Sequence, residues 1–294
     1  MMIGLILEGG GMRGAFTAGV LDTWLAHGVR FKDVYGVSAG ACQACSYLCN
    51  QPGRGLRVWL NYLDDPRFCS MRSLLTTGDM FGASLNYDLV PRVLDPLDNE
   101  TYKESGARLY AVVTDVMTGA AAYIPIEDMY DDIEAIRASA SLPLISNIVV
   151  FRGGKYLDGG VADSIPVRRA IADGHEKNVL VLTQAPGYRK SPNKAMAAVR
   201  LRYAKYPRLV EAVERRHLVY NETLDFIERQ VAEGKLFVLR PDAAPDVGRV
   251  EKDPGKLRRL HAAGQAVAER EMEALKAFLG SDNGSSFGRE QGFI

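Results

Sequence analysis

Apolar and polar positions change period along this chain, and the changes mark out units of strand, turn and helix. Ile3 to Leu7 is apolar, Gly9 to Gly14 is a glycine-rich turn, and Phe16, Val20 and Trp24, with Leu21 and Leu25, then recur at helical spacing. Gly28 closes that helix. A second unit follows at once: a strand from Phe31 to Val37 runs into Gly36-Val37-Ser38-Ala39-Gly40, and a small apolar helix covers Ala39 to Leu48. Further strands are predicted at Arg108 to Val116, Val149 to Phe151, Lys155 to Asp158, Val179 to Thr183 and Leu236 to Leu239. Helices are expected between most of them. Asp132 precedes one at Ile133 to Ser139, Pro166 opens one that Gly174 closes, and a long one covers Lys256 to Leu279.

Alternation of this kind, with continuous apolar runs such as VLVLT, predicts an α/β fold: a mostly parallel central sheet, doubly wound, with helices on both faces. There is no internal repeat. We expect a single domain over 1–279, with its motif-bearing core at about 3–185 and a helical C-terminal part at about 186–279. Gly, Ser and Asn cluster in 280–294, which reads as a flexible tail.

Composition narrows the class without naming a function. The 294 residues suit one large α/β domain or two small ones, and 47% hydrophobic with 24% charged residues is ordinary for a globular chain. Lys plus Arg equals Asp plus Glu at 36 each, so no global field draws the chain to nucleic acid, and any charge argument must be local. The opening MMIGLILEGGG lacks a basic leader and a small-residue cleavage site, and no stretch reaches the roughly 18 apolar residues of a membrane span. A cytoplasmic protein, or one peripheral to a membrane, is expected. Cys42, Cys45 and Cys49 share one face of a helix and Cys69 stands apart. That spacing disfavours disulfides within the helix and lacks the second ligand pair of a zinc site, so packing roles and no metal are expected.

Three segments carry candidate chemistry. In Gly36-Val37-Ser38-Ala39-Gly40 a serine sits where a strand meets a helix, and glycines two residues either side let the two elements approach closely enough to expose its hydroxyl. A plain turn serine is the bland alternative. In Gly9-Gly10-Gly11-Met12-Arg13-Gly14, glycines let successive amides converge on one point, the pattern expected of an oxyanion hole, with a merely structural turn as the bland alternative. The same letters fit a dinucleotide loop, but that reading needs an acid at the end of the second strand, where Gly36-Val37-Ser38 stands. Arg13 adds a positive charge there or is an ordinary surface arginine. In Lys155-Tyr156-Leu157-Asp158-Gly159-Gly160 an apolar strand ends in a carboxylate, placing Asp158 at the carboxyl edge of the sheet as a base or, equally simply, as a turn residue.

In this order the three motifs, with Ala138-Ser139-Ala140-Ser141-Leu142-Pro143 ahead of the aspartate, resemble the patatin-like phospholipase family over about residues 3–185. The resemblance implies a three-layer α/β fold and hydrolysis of lipid acyl esters by a Ser-Asp dyad without histidine. It makes Ser38 the nucleophile, Asp158 the base, and Gly9, Gly10, Gly11, Met12, Arg13 and Gly14 the oxyanion hole. No cofactor is implied. A carboxylate with a pKa near 4 cannot deprotonate a serine in advance, so proton transfer must accompany attack and oxyanion stabilisation must carry much of the catalysis. Two alternatives remain: an acyltransferase using the same acyl-enzyme, and a silent lipid-binding protein. His175, His217 and His261 follow in the chain order of a Ser-Asp-His triad. His175 is expected at the opposite sheet edge, His217 and His261 in basic helical stretches, and His27 at a helix end.

One local charge asymmetry exists. From Pro186 to His217 nine Lys or Arg oppose two Glu, interleaved with Tyr188, Tyr203 and Tyr206. This segment reads as a face for an anionic membrane or simply as a solvated one; it carries no motif for reading nucleic acid.

Overall fold

The computed structural model describes residues 2–280; the tail expected at 280–294 lies outside the described residues except for Gly280. The apolar runs form one eight-stranded sheet: β1 (Ile3–Leu7), β2 (Asp33–Val37), β3 (Arg108–Asp115), β4 (Ala121–Ile126), β5 (Val149–Phe151), β6 (Gly154–Asp158), β7 (Lys177–Val181) and β8 (Leu236–Leu239). Its order is β5-β6-β3-β2-β1-β7-β8, with β4 also paired to β3. The run from β3 to β8 is parallel, whereas β4, β5 and β6 pair antiparallel. The sheet is therefore mostly parallel and mixed at one side.

Eleven α-helices surround it among the described residues: α1 (Gly14–Ala26), α2 (Ala39–Leu48), α3 (Arg54–Tyr62), α4 (Met71–Thr77), α5 (Asn99–Ser105), α6 (Ile133–Ser139), α7 (Val167–Ala172), α8 (Met196–Arg202), α9 (Pro207–Ala232), α10 (Pro254–Arg270) and α11 (Met272–Gly280). Side-chain alternation along β1 explains the three layers. Leu5 and Leu7 join a core with Phe16 and Trp24 of α1, Leu48 of α2 and Leu260 of α10, while Ile6 faces the other way to Val167 of α7 and Leu224 of α9.

Several expectations shift. The long helix is interrupted at Glu271, but hydrogen bonds from Glu271 to Val267 (3.0 Å) and from Leu275 to Glu271 (2.8 Å) carry the helical pattern across. The strand β4 was invisible to sequence patterning because it contains Pro125 and opens on two alanines, both poor strand formers that a ready neighbour in β3 overrides. The helices α3 to α5, between the motifs, were not predicted, although α3 is strongly amphipathic.

Candidate active site

Sheet register assembles the site. Leu7 pairs with Gly36, so two residues further on Gly9 lies against Ser38, and a Cβ on Gly9 would stand 2.9 Å from that of the serine. On the other side Val37 pairs with Val112, and the next residue of β3, Val113, pairs with Asp158. The strand β6 runs antiparallel to β3, so Asp158 is not at the carboxyl edge of a parallel strand, as its sequence implied. Instead β6 returns from beyond the end of β3 and stops level with Ser38.

Ser38 occupies φ 55°, ψ −122°, a backbone region that costs a side-chain-bearing residue roughly 1–3 kcal/mol. Surrounding bonds hold it there. Its N–H donates to Ser139 Oγ (2.8 Å), which in turn donates to the Val112 carbonyl (2.7 Å), and its own carbonyl accepts from Cys42 N–H (3.1 Å). The flanking glycines are steric necessities: a Cβ on Gly36 would stand 2.6 Å from the Ala41 Cα, and one on Gly40 would overlap the Leu7 carbonyl oxygen. The serine is thus raised at the start of α2 by packing, not by its own preference.

Asp158 is 1% exposed. Its Oδ1 accepts the Gly160 N–H (2.7 Å), while Oδ2 is buried without a hydrogen-bond partner among the described residues. Burial raises its pKa above the ordinary carboxylate range; Arg216, then the nearby Ser38 hydroxyl and the Gly160 amide, oppose that rise without cancelling it. The unpaired oxygen and the elevated basicity belong to the same group.

The glycine loop begins at Glu8, whose buried carboxylate accepts from Tyr220 OH (2.6 Å), Thr183 N–H (2.7 Å) and Thr183 Oγ1 (3.1 Å). Gly11 takes φ +58°, and Arg249 packs so closely that a Cβ there would stand 2.5 Å from the Arg249 carbonyl oxygen. That oxygen accepts Met12 N–H (3.1 Å); Arg13 N–H donates to Gly10 (3.4 Å), and Gly14 N–H to Gly11 and Met12. Among the described residues the amides of Gly9, Gly10 and Gly11 are left without an acceptor. Of the six loop residues singled out by sequence, these three can offer N–H groups to an anion, and Gly9 touches Ser38.

Ser38 lies between two cavities. One, of about 120 Å³, is walled by Met12, Trp59, Phe68, Phe81, Ile136 and Leu142 among others, and suits an acyl chain. The other, of about 20 Å³, is polar: Ser38 and Asp158 line it with Glu8, Arg13, Lys190, Arg216 and Arg249. No histidine lines either. His175 is buried at the opposite end of the strands, 3.7 Å from Asp33, while His27 pairs with Glu269 and His261 with Asp22, each at 2.8 Å. His217 lies on α9, its Nδ1 3.0 Å from the Glu214 carbonyl. All four cysteines are free thiols, and Cys42 lines the apolar cavity, where burial pushes its pKa up to about 11.

A family model described as patatin-like phospholipase matches residues 5–171, more than half of the chain and all three motifs. The chain belongs to this family. Patatin-like phospholipases act on lipids as acyl hydrolases or acyltransferases. A second model, a domain of unknown function (DUF6363), matches residues 206–280, the stretch from α9 to α11. The uncharacterized protein YjjU of Escherichia coli is 30% identical over 246 residues, covering 81% of this chain and 68% of its own. The uncharacterized protein YqhO of Bacillus subtilis is 23% identical over 77% of this chain and 87% of its own. Mouse Pnpla3, a 1-acylglycerol-3-phosphate O-acyltransferase, is 26% identical over 140 residues, which span 46% of this chain and 33% of the mouse protein.

In this patatin-like chain, four residues at the site escaped sequence reasoning: Glu8, Lys190, Arg216 and Arg249. Lys190 and Arg216 fall in the basic run 186–217, whose charge was read as facing outward. Tyr203 of that run is buried and Tyr188 packs edge-on against Tyr220. Among the described residues no helix is long and apolar enough to cross a membrane.

Proposed function

We propose that this chain cleaves acyl esters of lipids through Ser38 and Asp158. The observation that carries the reading is the meeting of three groups at one polar pocket: a serine held in a costly backbone conformation, a buried carboxylate with one unpaired oxygen, and unengaged amides at Gly9 to Gly11. Ser38 Oγ attacks the ester carbonyl as its proton passes to Asp158 Oδ2. The developing oxyanion is met by the loop amides, worth about 3–4 kcal/mol per well-placed donor. Collapse expels the alcohol, which takes the proton from Asp158; the same carboxylate then deprotonates a water that releases the acyl-enzyme. The apolar cavity beside Ser38 supports a fatty acyl chain, and the family supports a lipid as its source.

A panel of esters tests this on wild type beside Ser38→Ala and Asp158→Asn. Each substitution is expected to lower kcat by a factor of about 10³ or more, and Ser38→Ala to abolish labelling by a fluorophosphonate probe. Labelling at another residue, or turnover surviving in Ser38→Ala, would sink the assignment. An acyltransferase reading shares every step up to the acyl-enzyme and finds support in the acyltransferase activity for which mouse Pnpla3 is named. Adding an alcohol acceptor separates the two by product.

A further inference from the structure

A larger cavity of about 280 Å³ adjoins the polar pocket, and the same three cations line both: Lys190, Arg216 and Arg249. Lys194 and His217 join them around the larger one, which no carboxylate lines. The cations come from three separate elements. Lys190 lies on the loop after β7, pinned to Asn221 by bonds of 2.8 and 3.0 Å; Arg216 is on α9; and Arg249 is on the loop before α10, where Met12 N–H holds its carbonyl. None of them falls within the stretch 5–171. Arg13 completes the group from the glycine loop.

Among the described residues these four cations make no ion pair, whereas most other arginines do. The Nε atoms of Arg13 and Arg216 are buried without an acceptor. Two carboxylates stand near and offset part of this charge without pairing with any of the four: Glu8, which accepts from Tyr220 and Thr183, and Asp158, which accepts from Gly160. Lys190 also rests over the Tyr220 ring, 4.1 Å from its centroid, yet four clustered cations beside two carboxylates leave a local excess of positive charge that an anion would relieve. From this arrangement we propose that Lys190, Arg216 and Arg249, backed by Arg13, form a subsite for a phosphate monoester on the substrate's head group, beside the reacting ester. Burial, and then Arg216, push the Lys190 ammonium down to about 7 against the opposing charge of Glu8. A zwitterionic head group fits poorly, because its ammonium would enter a cavity walled by cations. A phosphate monoester carries nearly two negative charges and no cation.

This placement rests on Ser38 as the reacting residue, and the test separates the two claims. The full-length Ser38→Ala protein is titrated calorimetrically with inorganic phosphate, a soluble short-chain monoacylglycerol phosphate and the matching uncharged monoacylglycerol. The phosphate-bearing ester is expected to bind about 10-fold or more tightly than the uncharged one. Adding Arg249→Gln or Lys190→Gln is expected to reduce that preference about 5-fold or more, and Arg249 is exposed, so its replacement tests binding without threatening the fold. Equal binding of the two esters, or an undiminished preference in both variants, would overturn the subsite. Inorganic phosphate binding as tightly as the phosphate-bearing ester, without competing against it, would assign the cavity to a soluble anion and overturn the head-group role. In the wild type, kcat/KM for the two esters gives the independent arm. Turnover without a phosphate preference defeats the subsite alone, and phosphate binding without turnover defeats the Ser38 reading alone.

Discussion

Asp158 has given up nearly all contact with water, and a buried carboxylate holds its proton to higher pH than an exposed one. As the proposed base it works only when ionised, so activity is expected above its folded pKa and expected to be lost as pH falls through it. The acid limb of kcat/KM is therefore expected above the pH of about 4 of an ordinary carboxylate. Arg216 is the largest influence holding that pKa down, so Arg216→Gln should move the limb to still higher pH. A pH–rate profile unchanged by this substitution would separate Arg216 from the base. The segments holding Ser38 and the loop stood out in the sequence because their glycines meet backbone demands that a side chain would break, and Asp158 stood out because it ends an apolar strand ahead of two glycines. Glu8, Lys190, Arg216 and Arg249 did not, since nothing local distinguishes a cation that faces inward from one that faces water.

Close approach of elements is the device repeated at the next scale. Gly40 lets α2 touch the end of β1, and the crossing of α1 with α10 uses a matched pair: a Cβ on Gly19 would overlap the His261 carbonyl oxygen, and one on Gly264 that of Phe16. Gly264→Ala is expected to cost about 1–3 kcal/mol, as overpacking of a tight contact does, read from the urea midpoint at unchanged slope. Gly28 has open space around its Cβ position but φ +72°, so alanine there pays only in backbone strain and serves as the control. No loss in Gly264→Ala would mean that α10 rides loosely on α1. That crossing was invisible in the sequence, where both glycines look like weak points in helices.

At the scale of the molecule, the stretch 206–280 reaches both faces of the sheet. Leu257, Leu260, Val267 and Leu275 share a core with Leu5, Phe16 and Trp24, β8 extends the parallel sheet from β7, and Tyr220 bonds Glu8 at the head of the glycine loop. We infer one cooperative unit, and expect a chain cut after residue 205 to lose both a sigmoidal urea transition and fluorophosphonate labelling. A folded, labelled fragment would show two independent units. The run 186–217 still exposes Arg202, Lys205 and Arg208, the last paired with Glu211, and Leu201, which is 83% exposed. More co-sedimentation with anionic than with neutral vesicles, weakening with salt, is the expected mark of membrane contact; equal binding to both would remove it.

Residue order alone determined the family, the alternation of strands and helices, and the three segments that meet at the site. Those features are written locally, in glycines that permit a turn and in apolar runs whose period chooses strand or helix. Only the tertiary structure decided that β6 runs antiparallel, that the amides of Met12, Arg13 and Gly14 are already engaged, and that three cations from a distant part of the chain converge beside Ser38. Burial, pairing and pKa are properties of neighbours in space, and neighbours brought together across more than a hundred residues leave no period in a sequence.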